Sequence, residues 1–157
     1  LNATTMATRI ITDLRRMARG SKAEAYAVTV EPQVALSLIG PHGELTDVIE
    51  RDEVGHPVLV RADKSCHRER YEISPGTLQS LERSFGFLVA GDTVDITPAD
   101  VLAIPHESLL AIVRGIIVEV PDASPKLTEP MRVRVVRASR SYARAVVAGQ
   151  KQCQTRS

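Results

Sequence analysis

Five arginines and no acidic residue occupy the segment from Met131 to Arg144, near the end of the 157-residue chain. Arg132 and Arg134 alternate with valines, so a strand here would place both guanidinium groups opposite its apolar face. The planar guanidinium fork makes paired hydrogen bonds to phosphate and can stack on bases. The residues alone leave two interpretations open, a ribbon that binds a polyanion such as RNA and a solvated, solubilising surface. The ribbon consists of Arg132, Arg134, Arg137, Arg140, Tyr142 and Arg144.

Tyr142 is the one aromatic residue of this ribbon. Period-2 alternation places it on the same strand face as Arg144, and a turn at Ala138-Ser139 would bring this strand beside the preceding one. An exposed tyrosine would supply a single base-stacking platform, so weak sequence preference is expected. Counterion release from the RNA backbone would supply most of the affinity.

Residues able to perform catalysis are not grouped in the sequence. Ser65-Cys66-His67 sets a thiol beside an imidazole, but neighbours on a strand point to opposite faces. The acidic near-pairs are typical of solvated surface carboxylates; they are Asp52-Glu53, Asp92/Asp95 and Asp100. The loop histidines lack metal-ligand spacing; they are His42, His56 and His106. The sequence therefore predicts no catalytic residue, metal site or cofactor in this chain.

The composition is that of an ordinary globular chain, with 43% hydrophobic residues, 25% charged residues and a net charge of +1. The charge is uneven. Residues 1–82 carry 10 Lys+Arg against 12 Asp+Glu (net −2), and residues 83–157 carry 10 against 7 (net +3). A polyanion would therefore meet the second half.

The sequence also bears on compartment and on cysteine chemistry. No apolar run approaches the roughly 18 residues of a membrane span, and the N-terminus lacks a signal-peptide core, which predicts a cytoplasmic protein. Cys66 and Cys153 form neither a disulfide framework nor a zinc knuckle. We interpret Cys66 as a small core residue and Cys153 as a free thiol.

Hydrophobic periodicity in the first half predicts helices packed on a small sheet. Met6, Ile10 and Leu14 repeat at helical spacing within a helix at Thr4–Arg19. The other predicted elements are a strand at Ala25–Val30, a helix from Pro32 to Gly40, a helix at Leu45–Glu53, and strands at Val58–Arg61 and Arg70–Ile73.

The second half changes to short strand-like runs punctuated by Pro and Gly. Ser74-Pro75-Gly76 predicts a turn before a helix at Thr77–Phe85. The five predicted strands are Thr93–Thr97, Leu109–Val113, Ile116–Val120, Met131–Val136 and Tyr142–Val147. Five short strands at close spacing predict a small closed barrel. The fold class is therefore α+β, with an α/β layered domain at 1–82, a five-stranded β-barrel at 86–149 and a disordered tail at 150–157.

The first half carries a series of segments whose order resembles the small domain that closes the catalytic region of the RNase E/G family of bacterial endoribonucleases. In that family a first strand is followed by "v-x-P-x-v-a-x-x-L", then by a "G-x-x-V-x-V" strand and an "h-x-e-x-y-x-i" ending. The matching segments here begin with the helix Thr5-Met-Ala-Thr-Arg-Ile-Ile11. They continue with Tyr26-Ala-Val-Thr-Val30, Glu31-Pro-Gln-Val-Ala-Leu36, Val54-Gly-His-Pro-Val-Leu-Val60 and His67-Arg-Glu-Arg-Tyr-Glu-Ile73.

This resemblance implies a role in oligomerisation and a catalytic centre located elsewhere. In the family, paired aspartates hold Mg²⁺ in a larger nuclease-like domain, and a zinc-sharing Cys-Pro-x-Cys link precedes the small domain. No segment here resembles either motif, so Mg²⁺ and Zn²⁺ are expected only upstream. The chain then corresponds to the C-terminal piece of a larger nuclease or to the product of a broken reading frame.

The second half resembles a TRAM domain, a small OB-like barrel that binds RNA and is often attached to RNA-modifying enzymes. The similar segments are Gly91-Asp-Thr-Val-Asp-Ile-Thr97, Ala111-Ile-Val-Arg-Gly-Ile-Ile-Val-Glu-Val-Pro121, Met131-Arg-Val-Arg-Val-Val-Arg137 and Tyr142-Ala-Arg-Ala-Val-Val147. The loops at Leu102–Ser108 and Asp122–Pro130 depart from the family's glycine-containing turns. The resemblance thus implies an OB-like, TRAM-like barrel with altered loops.

Together these observations predict the RNA-binding and oligomerisation portion of an RNase E/G-type endoribonuclease involved in RNA processing or decay. The segment itself is expected to be non-catalytic, with RNA and further copies of itself as partners and no membrane. Three alternatives stay open: a purely structural oligomerisation module, a free-standing RNA-binding protein or chaperone, and an appendage of an RNA-modifying enzyme such as a methyltransferase.

Overall fold

The computed structural model describes residues 1–149, so the predicted disordered tail lies outside the described residues. The helices are α1 (Ala3–Gly20), α2 (Pro32–Ile39) and α3 (Leu78–Phe85), with a π-helix at Val48–Val54 and a 3₁₀ turn at Pro98–Asp100. The strands of the first half are β1 (Ala25–Val30), β2 (Val58–Ala62) and β3 (Glu72–Gly76). Those of the second half are β4 (Thr93–Ile96), β5 (Leu109–Val113), β6 (Ile116–Val120), β7 (Met131–Ala138) and β8 (Tyr142–Val147). The molecule is a mixed α+β protein.

The first sheet has the order β2-β1-β3, with β1 parallel to β2 and antiparallel to β3. Strand β1 is covered on both faces, which explains its nearly continuous apolar sequence. Tyr26 and Val28 join the core built with α1 and α2, whereas Ala27 packs with Leu81 of α3 on the other side. The predicted layer of helices on a small sheet is therefore present.

Asn2 caps the N-terminus of helix α1, and its side-chain oxygen accepts a hydrogen bond from the Thr5 amide at 2.8 Å. The predicted apolar stripe is buried, since Met6, Ile10 and Leu14 are all at most 1% exposed. Each of these side chains contributes about 1.5–3 kcal/mol by leaving water. The stripe packs within the chain's own core, so it does not offer an apolar face to a second copy.

Two elements of the first half differ from their predictions. The predicted helix at Leu45–Glu53 is instead the shorter π-helix at Val48–Val54. The predicted turn Ser74-Pro75-Gly76 belongs to β3, where Pro75 lies opposite Tyr26. Proline fits there because β3 is an edge strand, and an edge strand can lack one amide donor on its open side.

The second sheet has the order β4-β7-β8-β6-β5, in which β6 and β8 run parallel. It curls around an aliphatic core that includes the fully buried Ile96, Val118 and Val133. All five predicted strands are present, but they form a half-barrel rather than the predicted closed barrel. Within residues 1–149, β4 and β5 share no ladder, because β4 stops before the 3₁₀ turn. A single bridge between Val101 and Ala111 links that turn to β5.

The strands of each half stay in their own sheet, yet the two halves share a hydrophobic core. Leu110, Ile117 and Tyr142 extend from the outer face of the second sheet into the core built around α1 and β1. A backbone hydrogen bond of 2.7 Å from the Ala62 amide to the Gly115 carbonyl adds to this contact. Residues 1–82 and 86–149 are thus joined by packing as well as by the chain.

Candidate functional site

The predicted arginine ribbon lies on β7 and β8, and the burial of its residues follows the predicted alternation. Val133 and Val135 are fully buried inside the half-barrel, while Arg132 and Arg134 lie on the opposite face. A β-bulge follows Val135, and beyond it Arg137 pairs in register with Arg144. Two exposed arginines therefore face each other across neighbouring strands.

Acidic side chains from elsewhere in the chain hold two of the ribbon's arginines. Arg132 Nε donates to Asp95 Oδ1 at 2.9 Å, and this contact lowers the pKa of Asp95. Arg140 Nε donates at 2.8 Å to Oε2 of Glu50, which lies in the π-helix of the first half. The expectation of a ribbon without neighbouring acids is wrong at these two positions, because the acids come from distant parts of the sequence.

Tyr142 is not the exposed stacking platform that the sequence predicted, since only 5% of it is exposed. Its hydroxyl donates to Glu119 Oε1 at 2.6 Å, and its ring lies against Gly43, where a Cβ atom would come within 2.3 Å. Burial and the Glu119 carboxylate raise the pKa of Tyr142. Tyr142 does lie on the outer face of the half-barrel, but the first half of the chain covers that position.

The outer face of the second sheet is divided into a covered and an open part. The covered part comprises β5, β6 and the start of β8, where Leu110 and Ile117 enter the shared core. The open part carries Arg134, Arg137 and Arg144, which we call the arginine patch. None of the three forms an ion pair within residues 1–149; the other two arginines of the ribbon, Arg132 and Arg140, do.

Four titratable side chains converge at the border between the two parts. His42 follows α2, His106 and Glu107 lie in the loop before β5, and Glu119 lies in β6 beside Arg144 of β8. One ligand atom from each of the four lies within 4.8 Å of the others. We call these residues the His/Glu cluster. No spacing in the sequence points to it, because the two histidines reach it from different halves of the chain.

A hydrogen bond to Glu119 and an ion-pair contact with Glu107 hold His42 at the centre of the His/Glu cluster. His42 Nδ1 lies 2.9 Å from Glu119 Oε2, and His42 Nε2 lies 2.9 Å from Glu107 Oε1. The hydrogen bond to Glu119 raises the pKa of His42. Glu119 is only 2% exposed, and burial by itself would raise its pKa. Hydrogen bonds from Tyr142, Ser108 and His42 outweigh the effect of burial, so the pKa of Glu119 is lowered overall.

Arg61 is a further residue whose importance the sequence did not reveal, because it appeared only as the end of a strand. It is 3% exposed and lies at the junction of the halves. Its guanidinium donates to the carbonyls of Phe85 at 3.3 Å, Gly86 at 2.7 Å, Val60 at 3.0 Å and Arg140 at 2.6 Å. Burial lowers its pKa to about 10, so it remains charged at neutral pH.

The remaining reactive side chains form no nucleophilic site within the part of the chain that the structure describes. Cys66 is half-buried in the loop before β3 rather than in a core, so its interpretation as a core residue is wrong. Burial raises the pKa of its thiol, which disfavours the reactive thiolate. Of the acidic near-pair Asp52-Glu53, Glu53 forms an ion pair with Arg15 of α1. Cys153 lies outside the described residues.

None of the helices described over residues 1–149 has the length and apolar character needed to cross a membrane.

Comparisons with known proteins leave the family of the chain open. A scan of protein-family models finds no match to the chain, and a search of curated proteins finds none either.

Proposed function

We propose that this chain binds the phosphodiester backbone of RNA through the arginine patch, as the RNA-binding portion of an RNase E/G-type endoribonuclease in RNA processing or decay. The observation that carries the proposal is the in-register pair Arg137 and Arg144 on the open part of the curled sheet. Neither guanidinium has a carboxylate partner within residues 1–149, so both remain able to bind an anion.

The geometry of the patch favours a phosphate-bearing partner. Two facing guanidinium groups repel each other, and a bound phosphate would relieve that repulsion through charge-assisted, paired hydrogen bonds. Arg134 lies on the same face of β7 and extends the positive surface along the strand. Because Tyr142 is buried, binding would rest on backbone charge and show little sequence preference.

The curled sheet supports an OB-like, TRAM-like identity for the second half. OB-folds are five-stranded and partly open, and they bind oligonucleotides on the face of their second and third strands and through nearby loops. The corresponding strands here are β5 and β6, whose outer face is covered by the first half. RNA would therefore lie farther along the sheet, over β7 and β8 and the turn between them.

The proposal assigns chemistry to a nuclease region outside this segment. The resemblance of the first half to the RNase E/G small domain supports this division, with Mg²⁺ and Zn²⁺ belonging to the upstream region. A cytoplasmic location and self-association are part of the same proposal. The buried stripe of α1 does not support self-association through that helix, so an oligomer would use another surface.

The second candidate is a purely structural module, and the contacts between the two halves favour it. Hydrogen bonds from Arg61 to the Arg140 carbonyl and from Arg140 to Glu50 join the two halves. Under this alternative the arginine patch only solubilises the surface. Removing its charge would then leave RNA affinity unchanged.

Fluorescence anisotropy with a labelled single-stranded RNA tests the proposal. We expect the intact chain to bind, and the Arg137→Ala/Arg144→Ala variant to bind at least about tenfold more weakly at low salt, because two phosphate contacts are lost. The matched control is Arg9→Ala/Arg19→Ala, which removes two exposed charges from α1. Equal affinities for all three proteins would contradict RNA binding at the patch.

A further inference from the structure

The His/Glu cluster carries an inference beyond RNA binding. We propose that His42, His106, Glu107 and Glu119 bind one divalent transition-metal ion of the zinc class. His42 belongs to the first half of the chain and the other three residues to the second, so the ion would join the two halves at the edge of the arginine patch.

The set of donors selects the class of ion. Two imidazoles and two carboxylates offer nitrogen and oxygen, the ligands that Zn²⁺ accepts in tetrahedral sites. Imidazole also suits other divalent ions of the first transition row, whereas Mg²⁺ prefers oxygen ligands alone. The cluster contains no thiolate, so a soft ion such as Cu(I) is not the expected occupant.

The spacing of the donors suits a common centre. Tetrahedral zinc bonds of about 2.0–2.2 Å place neighbouring ligand atoms roughly 3.3–3.6 Å apart. One ligand atom from each of the four side chains lies within 4.8 Å of the others. An ion can bind only one nitrogen of His42, whereas Glu119 now contacts Nδ1 and Glu107 contacts Nε2. Side-chain rotation at the exposed Glu107 and His42 would therefore bring the four donors around one ion.

The charge of the cluster also favours a cation. Glu107 and Glu119 bring two carboxylates to the same imidazole ring, that of His42. Glu119 is almost fully buried, and its neighbour Arg144 forms no ion pair with it. A divalent ion would compensate both carboxylates where solvent reaches the buried one poorly.

Neighbouring groups already orient two of the proposed ligands, as is typical around metal sites. Tyr142 donates to Glu119 at 2.6 Å and fixes the carboxylate. The Pro41 carbonyl lies 2.9 Å from His106 Nε2 and would hold the tautomer that leaves a lone pair on Nδ1. That lone pair now faces the Ser108 amide at 3.1 Å, a contact that a bound ion would replace.

Isothermal titration of the chelator-treated, full-length chain with Zn²⁺ tests the site directly. We expect one Zn²⁺ per chain. We expect His42→Ala and His106→Ala each to weaken binding by about 100-fold or more, since each removes a direct ligand. Glu107→Gln changes an exposed side chain and keeps the fold intact, and it should weaken binding by at least about tenfold.

Two controls separate this site from adventitious binding. His56→Ala changes a loop histidine outside the cluster and should leave the affinity unchanged, as should Cys66→Ser/Cys153→Ser, which removes both thiols. Titration with Co²⁺ gives a second readout, because its visible absorption should appear in the parent chain and vanish in His42→Ala. Absence of binding at tens of micromolar Zn²⁺ would overturn the proposal, as would stoichiometric binding that survives His42→Ala/His106→Ala. In either case the cluster would be only a hydrogen-bonded clasp.

Discussion

At the residue scale, the burial of Tyr142 changes what its substitution should do. Tyr142→Phe removes the hydroxyl that donates to the buried Glu119. Leaving that carboxylate short of a partner should lower the free energy of unfolding by about 1–3 kcal/mol. Urea unfolding measures the loss, and RNA affinity should not change. If the variant instead binds RNA more weakly and keeps its stability, the result would indicate that Tyr142 stacks on an RNA base.

Gly43 offers a second test of the same packing. Its φ of +73° disfavours any side chain, and a Cβ would also come within 2.3 Å of the Tyr142 ring. Gly55 has a similar φ of +81° but open space around its Cβ position. We expect Gly55→Ala to cost about 1–2 kcal/mol from backbone strain alone, and Gly43→Ala to cost clearly more in the same unfolding assay. Equal losses would mean that the ring does not lie against Gly43.

At the scale of elements, Arg61 of β2 ties the first sheet to the segment after α3 and to the β7–β8 turn. Arg61→Met leaves carbonyls of Phe85, Gly86 and Arg140 without this donor. The free energy of unfolding should fall by at least about 2 kcal/mol. Limited proteolysis should then cut faster between residues 86 and 92.

The controls for Arg61 isolate its hydrogen-bonding geometry. Arg61→Lys keeps the charge but cannot reach carbonyls on both sides, so it should restore little of the lost stability. Arg83→Ala on the exposed face of α3 should leave stability and proteolysis as they are. Full rescue by lysine would show that charge alone, and not the guanidinium fork, joins the elements.

The sequence predicts elements where local periodicity determines them. The stripe of Met6, Ile10 and Leu14 predicts α1, and alternation around Val133 and Val135 predicts β7 with its inward face. It fails where tertiary contacts decide. In the sequence, Pro75 indicates a turn, although it lies on the edge strand β3. Five strands indicate a closed barrel, but β4 ends too early to pair with β5, which leaves a half-barrel.

In the candidate site, too, the sequence predicts what local periodicity determines and misses what tertiary contacts determine. The sequence places Arg132 and Arg134 on one face by strand alternation, and it places Arg137 only beside the turn. The β-bulge after Val135, which alternation does not predict, brings Arg137 opposite Arg144. The pairing of Arg132 with Asp95 arises between strands β7 and β4 of the second sheet. The Arg140–Glu50 pair, the covering of Tyr142 and the His/Glu cluster arise from packing between the halves. Such contacts join residues far apart in the chain and leave no local pattern.

At the scale of the whole molecule, the shared core should make the two halves unfold together. Leu110 and Ile117 of the second sheet are buried with α1 and β1, so separating the halves would expose part of the first half's core. We expect a single cooperative transition in thermal unfolding, with circular dichroism and hydrogen exchange reporting the same midpoint. Two separated transitions would mean that the halves are independent domains.

The salt dependence of RNA affinity tests the central claim, which is phosphate binding by the arginine patch, most directly. For single strands, each neutralised phosphate contributes about 0.7 to the slope of log affinity against log salt. The Arg137→Ala/Arg144→Ala variant should therefore have a slope smaller by about 1.4 than the parent chain, while Arg9→Ala/Arg19→Ala keeps the parent slope. An unchanged slope in the patch variant, or a flatter one only in the α1 variant, would contradict the claim.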